Sequence, residues 1–137
     1  MATFEYRKLL RASVMLKVTY KTFGEPHLEG SGYSRNVGTI GVNLILSDKI
    51  ERNTDVEVKI LLPDNDIPVI ARGKVIWVHR CEYIPPSNKQ YYVCGVQFDD
   101  MSETDAVKTS DFVHRLLKEK SAQELKKTVD KLEEENK

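Results

Sequence analysis

Between residues 14 and 98 apolar and polar residues alternate in short stretches, each closed by turn formers; after Asp99 that period of two gives way to a helical one. Strict alternation puts every second side chain on one face, the pattern of a half-buried strand. Val14, Leu16, Val18 and Tyr20 share one such face, with Met15, Lys17 and Thr19 on the other. Residues 24–32 are dense in glycine and proline and read as a loop. A second strand is expected over residues 33–37, ended at Gly38 and Gly41, and a third sets Val42, Leu44 and Leu46 against Asn43, Ile45 and Ser47. Val56, Val58, Ile60 and Leu62 repeat the pattern before a turn at residues 63–66. Residues 67–80 form a long strand containing Trp77, and a loop over 84–89 leads into a last strand over 91–98. Short strands spaced by turns build an antiparallel barrel or sandwich.

Beyond Asp99 the spacing predicts a helix opening at Ser102, with Asp105 three residues on in a capping arrangement that Glu would complete better. Ala106, Ser110, Val113 and Leu117 recur at helical spacing, as do Thr109, Phe112 and Leu116, so this helix covers one face or mouth of the barrel. Further on, Ala122, Leu125, Val129 and Leu132 follow a 3-4-3 rhythm among Lys and Glu, a seam through which two copies could pair. It lasts only about two heptads, so a solvated extension is an equal reading. The organisation expected is an N-terminal arm over 1–12, a barrel with its covering helix over 13–118, and a charged helical tail over 119–137.

Chemistry is constrained first by charge. The 137 residues carry 21 basic and 21 acidic groups. A binder of long DNA or RNA needs a basic excess for phosphate contacts, and none is present. The distribution is uneven, however: residues 1–23 carry a net +4, residues 24–110 a net −4, and the remainder balances. A basic arm on a mildly acidic body suits a small anion. The longest apolar runs are four residues, Val75 to Val78 and Tyr91 to Cys94, so membrane insertion is not expected. The first residues lack an apolar signal-peptide core, which gives a cytoplasmic location as the expectation. Cys81 and Cys94 form no C-x-x-C pair, and His27, His79 and His114 lack metal-ligand spacing, so no metal or cofactor is expected. No P-loop, nucleophile elbow or Cys–His set occurs, and Asp99 and Asp100, as strand neighbours, should point to opposite faces. The chain reads as a binding protein and not an enzyme.

Two segments could bind. Arg7-Lys8-Leu9-Leu10-Arg11 precedes the first strand and offers two guanidiniums four residues apart, whose planar donors match phosphate oxygens or the O6/N7 edge of guanine. Asn36-Val37-Gly38-Thr39-Ile40-Gly41 joins two strands; its asparagine can donate and accept at a base edge, and its glycines permit close backbone approach or a positive φ. Alone, the first is a weak signal of the kind many surface helices carry by chance, and the second reads as an ordinary turn.

Taken together and in this order, the segments resemble the PilZ domain family, bacterial receptors for cyclic di-GMP with the signature R-x-x-x-R followed by [D/N]-x-S-x-x-G. Arg7 and Arg11 match the first motif, and Asn36 and Gly41 match the outer positions of the second. Val93 to Ser102, running into an amphipathic helix, is similar to the family's last strand and helix. The likeness covers about residues 5–118. It departs at Gly38, where the family has serine. The resemblance implies a six-stranded antiparallel β-barrel with a C-terminal helix, and an arm that closes over a bound nucleotide. Arg7 and Arg11 would take guanine edges and phosphates, Lys8 a further phosphate and Asn36 a guanine, while Gly38 and Gly41 shape the floor. Trp77 would border the ligand or simply pack between strands. The implied ligand is cyclic di-GMP, and the implied output is a conformational change read in trans by an unidentified effector protein, in motility or biofilm control. A protein-interaction adaptor with weak or no nucleotide binding is the alternative.

Overall fold

The computed structural model describes residues 11–63, 65–81 and 90–136. Seven strands and one helix follow in order: β1 (Arg11–Ser13), β2 (Lys17–Thr22), β3 (Glu29–Gly38), β4 (Gly41–Leu46), β5 (Asp55–Ile60), β6 (Val69–Arg80), β7 (Tyr92–Met101) and α1 (Glu103–Glu135). Every pairing is antiparallel. β2 pairs with β3, β3 with β4, β4 with β7, β7 with β6, β6 with β5, and β5 returns to β2, which closes a six-stranded barrel. β1 lies outside that ring on the edge of β3, continuing the line of β2. The expected barrel is the one found.

Its interior is filled by the residues the alternation assigned there. Val18, Val37, Val42, Leu44, Val58, Ile60 and Val75 are all at most 1% exposed, whereas intervening residues face outward. Closure of the six-stranded ring leaves no long unpaired edge, and the apolar faces of its strands converge on one core.

Three boundaries differ from the sequence expectation, each for a local reason. The first strand, expected to run unbroken over residues 14–20, is interrupted between Ser13 and Lys17. There the buried Ser34 hydroxyl accepts from Leu16 N at 2.9 Å and donates to Val14 O at 2.6 Å, replacing ladder bonds that the break removes. β3 begins at Glu29, inside the segment read as a loop, because Gly30 and Gly32 pair with Tyr20 and Val18 on β2. Those glycines are strand residues admitted by crowding: a Cβ at Gly30 would sit 2.7 Å from the Tyr20 hydroxyl. Arg11 and Ala12, assigned by composition to the arm, belong to β1, with Ala12 buried in the core.

The helix starts where expected. The Ser102 hydroxyl accepts from Asp105 N at 3.1 Å, and Glu103 and Asp105 sit favourably at the positive end of the helix dipole. Asp105 does not complete the box; its carboxylate accepts from Ile70 N at 3.1 Å and ties the helix to β6. Thr109, Phe112 and Val113 are buried against the barrel, with Leu116 and Leu117 partly covered. The helix then continues unbroken to Glu135, so the expected boundary at 118/119 falls inside one element about 50 Å long. Among the described residues no helix is long and apolar enough to cross a membrane.

Candidate functional site

Strand register brings the second motif together with half of the first. β1 lies antiparallel to β3 so that Arg11 faces Gly38, Ala12 faces Val37 and Ser13 faces Asn36. With Ala12 and Val37 buried, Arg11, Ser13 and Asn36 belong to the outer surface. Arg7 and Lys8 lie outside the described residues.

A β-bulge aims the asparagine. Ser34 pairs with Leu44 and Asn36 with Asn43, leaving Arg35 as the extra residue. That single insertion lets Ser34 and Val37 both face inward while Arg35 and Asn36 both face out, the usual work of a bulge beside a site. Ser13 Oγ then donates to Asn36 Oδ1 at 2.9 Å. With its acceptor held, Asn36 presents its Nδ2 donors to anything lying over the sheet. Arg11 Nη1 donates to Asn43 Oδ1 at 3.5 Å, which holds its guanidinium beside β4.

Of the two roles the glycines could serve, close backbone approach and a positive φ, the structure shows the first. Among the described residues Gly24 is the one glycine with positive φ, and Gly38 and Gly41 are strand residues. Gly41 is required by proximity: a Cβ there would stand 2.5 Å from Val96 O and 3.3 Å from Arg11 Nη2. Gly38 is buried beneath the Arg11 strand. Between them, the Thr39 hydroxyl is buried without a hydrogen-bond partner among the described residues.

Register also places Trp77. Asn36 faces Asn43, Asn43 faces Gly95, and Gly95 faces Trp77, so one row crosses β3, β4, β7 and β6 on the outside. The indole lies over Gly95, where a Cβ would collide with Nε1, and stacks on His79 with ring centroids 5.3 Å apart. A cavity of about 530 Å³ opens beside it, lined by Arg35, Trp77, His79, Arg80, Cys81 and Val93. Three strand spacings separate Asn36 from Trp77, about 14 Å along the sheet. Trp77 therefore stands at the far end of the row from Arg11.

Ser13, Arg35, Asn43 and Lys120 join the site without having been singled out in the sequence. Lys120 Nζ donates to Ser13 O at 2.8 Å from the far part of α1. For Asn43 a signal existed, since the alternation puts it on the outer face of the strand after the motif. Ser13 and Lys120 depend on register and helix placement and carry no local mark. The Asp99 and Asp100 expectation needs correction: the bulge between Phe98 and Asp100 lets both line one groove with Asp55 and Arg72. Cys94 packs inside the barrel, where burial pushes its thiol up to about 12 and leaves it unreactive.

The comparisons with known proteins decide what this arrangement belongs to. The family model for the PilZ domain matches residues 5–115, spanning both motifs, the whole barrel and the buried part of α1. The chain belongs to the PilZ domain family. No curated protein matches it. Among solved structures it is similar to the PilZ domain of YcgR from Escherichia coli with c-di-GMP, at 10% identity and TM-score 0.60, covering 82% of this chain and 92% of that one. It is also similar to MrkH of K. pneumonia, at 12% identity and TM-score 0.65, covering 85% and 51%. The Bacillus subtilis inhibitor of motility MotI/DgrA follows at 14% identity and TM-score 0.57, covering 77% and 48%. This chain thus spans about half the length of the latter two proteins. At such identities the likeness is one of fold, and the PilZ barrel is what they share.

Proposed function

We propose that this PilZ chain is a non-catalytic receptor for cyclic di-GMP, binding through Arg7 and Arg11 and through Asn36, Gly38 and Gly41. The observation that carries the reading is the β1–β3 register, which sets Arg11 of one motif directly across from Gly38 of the other. A guanidinium on the strand next to an asparagine whose Nδ2 has no partner among the described residues suits a guanine edge and its neighbouring phosphate. Lys8 adds charge to the arm, and Trp77 offers an aromatic face at the distant end of the row. Nucleotide binding would fix β1 and the residues preceding it, and an effector acting in trans would read that change. The apolar seam of α1, with Leu125 66% and Leu132 53% exposed, is the surface assigned to pairing with a second copy.

Titration calorimetry with cyclic di-GMP tests the reading. Saturable binding by the full chain is expected. Arg11→Ala should lose ten- to a hundredfold in affinity, since a charge-assisted hydrogen bond contributes roughly 1.5–3 kcal/mol. Wild-type affinity in Arg11→Ala would remove Arg11 from the site. One observation favours the adaptor reading as second: Gly38 lacks the hydroxyl of the family motif. An adaptor predicts weak binding or no heat of binding at all.

A further inference from the structure

We infer that Lys120 is an additional anion-contacting residue of this same site, delivered to it by helix α1; the inference rests on the receptor reading above. The motifs do not contain Lys120, which stands 107 positions from the residue it touches. That residue is Ser13, whose hydroxyl positions Asn36 and whose strand carries Arg11 two residues earlier, about 7 Å away.

Helical phase explains why this lysine reaches the site. At 3.6 residues per turn Lys120 falls on the same face as Thr109, Phe112, Val113 and Leu116, which pack on the barrel. It is the last cation on that face before the helix leaves the barrel behind. Its stem spans to the edge of β1, where the ammonium meets a neutral carbonyl and uses one of three donors.

Charge makes the case for an anion. Among the described residues Lys21, Lys49 and Lys74 each have a carboxylate within 4 Å, while at the site Arg11, Arg35 and Lys120 have none. Ser13, Asn36, Gly38, Gly41 and Asn43 contribute no acid either. Arg11 and Lys120 therefore flank one end of a polar strand row with no carboxylate among the described residues within 4 Å. The phosphodiester of a cyclic dinucleotide held by Arg11 would draw the ammonium the short distance from the Ser13 carbonyl. The contact also ties the ligand to the point where α1 leaves the barrel. Leu125, Val129 and Leu132 lie about 180° around the helix from the barrel-facing residues, so the ligand would steady the segment that presents them.

The test is calorimetry with cyclic di-GMP on the full chain and on two variants, with melting temperatures measured without ligand. Lys120→Gln keeps a donor for Ser13 O and removes the charge; Lys120→Arg keeps both. Lys120→Gln should bind roughly tenfold more weakly and Lys120→Arg within about twofold of wild type. Melting should be unchanged in both. The deficit of Lys120→Gln should shrink between about 0.05 and about 0.5 M salt, because only a charge contact is screened. Wild-type affinity in Lys120→Gln overturns the inference and leaves the receptor standing. Equal weakening in both variants with lowered melting assigns Lys120 a structural role and also overturns it. Absence of binding by the unmodified chain overturns both readings together.

Discussion

Gly38 is the residue at which this site departs from its family, and its surroundings say what the departure costs. A serine there would sit on an extended strand facing Arg11 and two residues from Asn36, since Gly38 has no positive φ to strain. The Ser13 hydroxyl already occupies the neighbourhood, but it is committed to Asn36 Oδ1. On the receptor reading one hydroxyl contact to ligand is missing, and a neutral hydrogen bond contributes roughly 0.5–1.5 kcal/mol net. Gly38→Ser should tighten cyclic di-GMP binding about two- to twelvefold with an unchanged melting temperature. Calorimetry beside a thermal melt checks both halves. Unchanged affinity would mean that position 38 touches no ligand. At this scale the sequence displayed Arg11, Asn36 and Gly41, because their types and spacing are themselves the signal. It concealed Ser13 and Lys120, whose chemistry is ordinary and whose positions are made by distant register. It left two roles open for the glycines, since neither composition nor spacing distinguishes a turn glycine from one excluding a Cβ beside Val96 O.

Among the elements, β1 decides whether the two motifs meet, and Ser34 decides whether β1 holds its place. Alternation alone assigns Leu16, Val18 and Tyr20 to the core correctly. It cannot see the break between Ser13 and Lys17, because the break is bridged by a side chain from another strand. Ser34 Oγ is buried, serves Leu16 N and Val14 O, and lies next to the Arg35 bulge. Ser34→Ala leaves both backbone groups without that partner, a loss of about 1–3 kcal/mol for buried polar groups. The melting temperature should fall by several degrees. Amide exchange at Arg11–Ser13 should quicken, and nucleotide affinity should drop although Ser34 faces the core. Wild-type exchange across β1 in the Ser34→Ala protein would show that the strand is held by its ladder with β3 alone. The bulge carries the same lesson: inserting one residue reverses which side chains face out, and period-two reading has no term for it. That is why Asp99 and Asp100, which alternation sets on opposite faces, line one groove.

For the whole molecule the legible part was the barrel and the change of period, which together fix a closed sheet capped by a helix. The ending of that helix was less legible, because a 3-4-3 apolar rhythm is the same whether solvated or paired. The structure adds phase: the seam residues face away from the barrel, so they are no continuation of the stripe containing Phe112 and Val113. A second copy can approach that face with its own barrel on the far side. Val129 at one seam position and Leu125 and Leu132 at the other follow the pattern that favours two-stranded pairing. Three Glu in the final turn, Glu133, Glu134 and Glu135, oppose the helix dipole and leave the isolated end marginal. Pairing would offset that weakness, though two heptads support only weak, concentration-dependent association. Removing residues 124–137 takes away the seam and keeps Lys120. The shortened chain should bind cyclic di-GMP within about twofold of the full chain, because every proposed contact lies before the cut. In sedimentation velocity the full chain should move faster as concentration rises, and the shortened chain should remain a monomer throughout. A full chain that stays monomeric at every concentration would overturn pairing and leave the seam a solvated extension, and a shortened chain that loses the nucleotide would place part of the site beyond Gln123.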